Sequence, residues 1–94
     1  MKAGLLTLRF HLARVQSLKE KRSIVKGLLA EVERRGAAFG VAEVEDLDRL
    51  DRATIQVAHV SNDRQRTEVA LAQVRDALEL RRDFALETFD VEIV

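Results

Sequence analysis

The feature that most constrains this chain is the order in which its hydrophobic period changes. Over residues 3–12 the period is two. Leu6, Leu8, Phe10 and Leu12 share one parity, and Leu5, Thr7, Arg9 and His11 share the other. Alternation of this kind predicts a half-buried strand. The period then becomes helical. Ser17-Leu18-Lys19-Glu20 is a capping box, and Leu18, Val25, Leu28, Leu29 and Val32 follow at helical spacing. Gly36, after Arg34 and Arg35, is a stop signal.

The same sequence of periods then recurs with one strand added. Residues 39–45 read as a second strand, marked by Phe39, Val41 and Val44. An acidic connection, residues 45–51, leads to a third strand over 52–60, where Ile55 and Val57 oppose Thr54 and Gln56. Ser61-Asn62-Asp63 caps a second helix, with Gln65 three residues after Asn62. The apolar stripe of that helix is Ala70, Leu71, Val74, Ala77 and Leu78, and Arg81–Arg82 close it. Residues 85–94 alternate as a last strand, with Phe89, Val91 and Ile93 opposite Thr88, Asp90 and Glu92.

The order β-α-β-β-α-β, with two right-handed crossovers onto one sheet, predicts an α+β fold of the ferredoxin-like, split βαβ type. The expected sheet is antiparallel with strand order 4-1-3-2, and both helices cover one face. With 94 residues, the chain fits a single domain over 1–94. The other sheet face would carry Leu5, Thr7, Arg9, His11, Thr54, Gln56 and Ala58.

Composition narrows the function. Sixteen cations and sixteen anions cancel, which excludes a uniformly basic nucleic-acid binder. There is no Cys, hence no disulfide framework, thiolate zinc site or Cys nucleophile. Apolar stretches are too short to span a membrane, and Arg9 interrupts any signal-peptide core. The expectation is a cytoplasmic protein. The four Phe are the only aromatics; Phe10 has core parity and strand three has none, which argues against stacking of single-stranded bases on the sheet.

The balanced charge is unevenly distributed. Residues 1–40 hold nine cations and three anions, a net +6; residues 41–63 carry −4 and residues 64–94 carry −2. Between Arg14 and Lys26 stand Arg14, Lys19, Lys21, Arg22 and Lys26 against Glu20 alone. On a helical wheel Lys19, Arg22 and Lys26 fall in one stripe beside the apolar face, with Lys21 nearer that face. A helix dipole disfavours cations in a first turn. The functional reading is a phosphate-binding edge, with Arg14 and Arg9 assisting. The bland reading is a solvated border. The topology adds a third arrangement, because strands one and two end at the same edge of the sheet. Asp46, Asp48 and Asp51 would then lie within reach of Lys19, Lys21 or Arg22 and would neutralise them.

Other constellations are weaker. The acidic run Glu43, Glu45, Asp46, Asp48, Asp51 lacks the spacing of a calcium loop. His11 and His59 have opposite strand parity, so they do not pair. No Ser or Thr stands in a nucleophile motif, and nothing calls for a cofactor. Arg14-Val15-Gln16 is similar to part of the phosphate loop of acylphosphatases, but Ala13 and Ser17 flank it where that loop has glycines.

Three runs, taken in order, carry a fuller resemblance. Ser17-Leu18-Lys19-Glu20-Lys21-Arg22, Val41-Ala42-Glu43-Val44 and Val60-Ser61-Asn62-Asp63 resemble the YlxP-like family of small bacterial proteins of unknown function. The likeness covers nearly the whole chain. It departs at Leu50-Asp51-Arg52, where the family often has Trp-Gln-Arg, so no Trp is present for partner contact. The resemblance implies a ferredoxin-like fold and an association with RNA or ribosomal particles. It supplies no catalytic residues. The expected function is therefore non-enzymatic RNA or ribosome binding through Lys19, Lys21, Arg22 and Lys26, with Arg14 and Arg9. The alternative is a homodimer formed through the open sheet face or edge.

Overall fold

A computed structural model describes residues 1–81 and 84–94. Its elements are β1 (Lys2–His11), α1 (Leu18–Glu33), β2 (Phe39–Glu45), β3 (Arg52–Ser61), α2 (Arg64–Glu79) and β4 (Ala85–Ile93). The sheet order is β2-β3-β1-β4, which is the expected order read from the other edge. All three pairings are antiparallel. The chain thus has the α+β ferredoxin-like arrangement.

Local signals set the helix limits. Ser17 is the N-cap of α1 and accepts from the Glu20 backbone N–H at 3.1 Å. The Glu20 carboxylate reaches back one residue further than a standard capping box, accepting from the Gln16 N–H at 3.2 Å. Gly36 adopts φ 129°, a value that a side chain would strain. Within Ser61-Asn62-Asp63 the cap is Asp63, which accepts from Gln65 N–H at 3.0 Å. The expected pairing of Asn62 with Gln65 is therefore displaced by one residue. The second helix ends at Glu79, short of Arg81. Arg81 instead spans to α1 and donates to Glu31 at 2.8 Å. The expected closing role of Arg82 lies outside the described residues.

One face of the sheet is buried beneath the helices. Leu6, Leu8 and Phe10 from β1, with Ile55 and Val57 from β3, meet Val25, Leu28 and Val32 of α1 and Leu71, Val74 and Leu78 of α2. Phe84 closes one end with its ring edge-on to Phe10, at a centroid distance of 5.0 Å. Each such side chain stabilises the fold by about 1.5–3 kcal/mol through burial. Gly4 permits the close approach of α2. A Cβ there would lie 2.7 Å from both Leu71 Cδ1 and Thr67 Cγ2.

Antiparallel pairing of β1 and β3 places the two helix starts at opposite ends of the sheet. His11 pairs with Arg52 at the α1 end, and Lys2 pairs with Ser61 at the α2 end.

Candidate functional site: the two helix starts

At the α1 end the basic residues separate into two groups. Lys21 is buried, 1% exposed. Its Nζ lies 3.1 Å from Glu43 Oε2 and donates to the Asp46 carbonyl at 2.6 Å. The Leu47 carbonyl lies 3.4 Å away. The Glu43 contact is an ion pair without well-directed hydrogen-bond geometry. This corrects the expectation that Lys21 contacts phosphate, because all of its charge is committed inside the protein. It also explains one of the first-turn cations. Lys21 projects toward the core and meets a carboxylate on β2, so its environment is set by β2 and not by the helix dipole.

Lys19, Arg22 and Lys26 are exposed on α1. Among the described residues none of them forms an ion pair. The 46–51 loop does not reach them. Its Asp51 takes both donors of Arg49, at 3.0 and 2.9 Å, and Asp46 holds a left-handed turn at φ 57°. Hydrogen bonding to Arg49 keeps the Asp51 carboxyl below the ordinary carboxylate range. The loop does lie at the same end of the sheet as the helix start, as expected, and the link between them is Lys21 binding loop carbonyls. Arg14 is exposed in the preceding turn at φ 65°. Arg9 lies on the other face of the sheet and faces Glu45 at 3.7 Å. The structure therefore brings Lys19, Arg22 and Lys26 together, keeps Arg14 close in sequence, and sets Arg9 apart.

The open sheet face follows the expected parity. Paired residues share a face, so Leu5 and Ala58 stand together, as do Thr7 with Gln56 and Arg9 with Thr54. Gln56 Nε2 donates to Thr7 Oγ1 at 3.2 Å. Thr54 is wholly buried although it lies on this face. Its neighbours across the ladder are Arg9 and Glu45, whose ion pair passes over it.

At the α2 end the structure assembles a polar chain that the sequence motifs did not single out. His59 is on the covered face of β3 and only 6% exposed. Its Nδ1 is 3.1 Å from Thr67 Oγ1, which is 2.6 Å from Ser61 Oγ. Ser61 Oγ donates to the Asp63 carbonyl at 2.7 Å. The His59 ring is tilted against that of Phe39, with centroids 4.7 Å apart. Burial, and then the charge of Arg66, lowers its pKa below the usual 6.5. A cavity of about 380 Å³ opens beside it, lined by Ala38, His59, Val60, Ser61, Asn62 and Arg66 among others. Sequence offered one signal for this group: a His of core parity two residues before a cap-forming Ser-Asn-Asp run.

The fold and these two helix starts define a small ferredoxin-like α+β protein that buries the Lys21 ammonium and the His59 imidazole. The chain belongs to a family described as proteins of unknown function, DUF503, whose model matches residues 3–92. Among curated proteins none matches it. Among solved structures it is similar to the de novo designed protein Foldit4, at 16% identity and TM-score 0.57, covering 98% of this chain and 96% of that one. It is also similar to SnoaB, a cofactor-independent oxygenase from Streptomyces nogalater, at 15% identity and TM-score 0.52, covering 100% of this chain and 92% of that one. At these identities both likenesses concern the fold alone. No helix among the described residues is long and apolar enough to cross a membrane.

Proposed function

We propose that this protein is a non-enzymatic RNA- or ribosome-associated binding protein whose contact surface is the exposed cationic stripe of α1. The observation that carries this reading is the separation of charge at the α1 end. Glu43, Asp51 and Glu45 there are taken by Lys21, Arg49 and Arg9, and the carboxylates of Asp46 and Asp48 reach no cation of α1 among the described residues. Lys19, Arg22 and Lys26 have no such partner among the described residues. Three cations at i, i+3 and i+7 follow one helix face and suit a phosphate backbone, which positions without reading sequence. The resemblance to the YlxP-like family supports the same reading at a finer level than the family model.

Charge reversal, Lys19→Glu with Arg22→Glu, tests it by RNA binding and ribosome co-sedimentation. The expected result is loss of binding. The wild-type affinity should fall with salt at a log–log slope of about −2, since each single-strand phosphate contributes about 0.7. Unchanged co-sedimentation in the double variant would sink the proposal. An affinity capture from lysate, with and without ribonuclease, separates RNA from protein partners.

A second reading is a homodimer across the open sheet face. It is favoured by the row of Gly40, Ala58 and Leu5, which register places side by side with no charged group between them. Such a row allows flat, close contact with a second copy of the chain. A monomer by sedimentation at tens of micromolar under standard salt would count against it.

A further inference from the structure

The chain of hydroxyls beneath His59 determines which ring nitrogen carries the proton. Ser61 has one hydroxyl hydrogen, and the Asp63 carbonyl can only accept, so that hydrogen is spent on Asp63 at 2.7 Å. Ser61 Oγ must then accept from Thr67 at 2.6 Å. The Thr67 hydrogen is thereby spent, so Thr67 Oγ1 accepts from His59 Nδ1–H at 3.1 Å. The remaining nitrogen, Nε2, is left with a bare lone pair. It has no hydrogen-bond partner among the described residues, and it is absent from their sealed, unpartnered polar atoms. Nε2 therefore reaches the opening that His59 lines.

Two side chains of that opening can donate to a ligand. Arg66 brings a guanidinium and Asn62 an amide. Arg66 is exposed on α2 without an ion-pair partner among the described residues. One fixed acceptor beside a guanidinium is an unusual pairing for a simple anion, because a fully deprotonated oxyanion meets the Nε2 lone pair with its own. It suits an oxyanion that still carries a hydrogen. Monohydrogen phosphate and singly protonated phosphomonoesters have both features, with P–O⁻ for the guanidinium and P–OH for the imidazole.

We propose that this cavity binds a small protonated phosphate-class oxyanion, with Arg66 and Asn62 donating to its oxygens and His59 Nε2 accepting its P–OH hydrogen. The site is at the opposite end of the sheet from the α1 stripe and does not depend on it. Inorganic phosphate and sulfate distinguish the geometry, since sulfate matches the monohydrogen phosphate dianion in shape and charge but has no hydrogen to give. Titration of the ¹⁵N-labelled protein with each anion, at matched ionic strength, reads both affinity and location. Phosphate should shift amides in residues 59–67 and the His59 ring nitrogens at millimolar concentration. Sulfate should bind more weakly by about tenfold, the usual consequence of one unpaired lone pair in a confined site. Arg66→Gln, at an exposed position that leaves the core intact, should abolish the phosphate shifts. The proposal is overturned if phosphate gives no saturable shift at 59–67, if sulfate binds as well as phosphate, or if Arg66→Gln leaves binding unchanged. Phosphate shifts confined to residues 19–26 would equally overturn it, while leaving the α1 proposal standing. Methyl phosphate, a simple phosphomonoester, used as a further arm, separates a site for the free ion from one for an esterified phosphate by which of the two binds more tightly.

Discussion

The two helix starts lie at opposite ends of one sheet, and each covers a buried polar side chain. Their solutions differ. At the α1 end, Lys21 is a full charge, and the protein answers it completely with Glu43 and the Asp46 carbonyl. At the α2 end, His59 is a neutral ring that, among the described residues, is answered at Nδ1 only. The difference follows from the cost of burial. An unpaired buried ammonium costs several kcal/mol, whereas a neutral nitrogen facing a small opening costs little. A charged group must therefore be closed off by its own protein, and a neutral one can be left for a ligand. Under the two proposals, the α1 end interacts through its exposed cations and the α2 end through the opening beside His59.

Substitutions at each end test this contrast. The largest effect belongs to the closed pair. Lys21→Met strands a Glu43 side chain that is only 16% exposed, and should cost about 3–5 kcal/mol in urea unfolding. Adding Glu43→Leu should restore most of that loss. If the double variant is as unstable as the single one, Lys21 and Glu43 are not energetically coupled. Next comes the packing that brings α2 onto the sheet. Gly4→Ala places a methyl 2.7 Å from Thr67 Cγ2, and Thr67 is tethered by its hydroxyl, so about 1–3 kcal/mol should be lost.

Thr67→Val then removes the link between His59 and Ser61 with little change of volume. It should cost about 1–2 kcal/mol. It should also free the His59 tautomer, which nitrogen chemical shifts report. A retained Nδ1–H in that variant would show that Thr67 does not set the proton's position.

The pH dependence has a definite sign. The His59 pKa is lowered in the folded protein, so below the usual 6.5 the unfolded chain binds the extra proton first. Stability should therefore fall as pH drops from about 6.5 toward the lowered folded value. This loss should shrink in His59→Gln, and an unchanged pH slope in that variant would assign the loss to other groups. The smallest stability change belongs to the exposed stripe. Gln at Lys19, Arg22 and Lys26 should alter unfolding by no more than about 0.5 kcal/mol per site, since none is buried and none is paired among the described residues.

Most of the fold was legible because its signals are local. Ser17 and Glu20 mark the start of α1 from three residues apart, and the parity of Leu6, Leu8 and Phe10 fixes which face of β1 is buried. The same parity put His11 and His59 on opposite faces, and the structure agrees. The candidate site was legible only in part. Lys19, Arg22 and Lys26 align through helix geometry alone, so the wheel places them correctly. Lys21 looks identical in composition, and it differs only because β2 brings Glu43 beside it. Arg9 was counted with the stripe by its charge, but its strand parity sends it to the other sheet face.

The order of elements, the buried face of each strand and the uneven division of charge are all readable along the chain. Each of these depends on periodicity or position within a few residues. Only the tertiary structure decided which charges meet. Lys21 stands in the first turn of α1 and Glu43 on β2, with most of α1 between them, and the path of the chain places the carboxylate. The tertiary structure also decided the hydroxyl chain under His59. Eight residues separate His59 from Thr67, but their contact depends on the angle at which α2 leaves β3 and on the close approach that Gly4 allows. Neither is written in a local period, because both result from packing one layer on another.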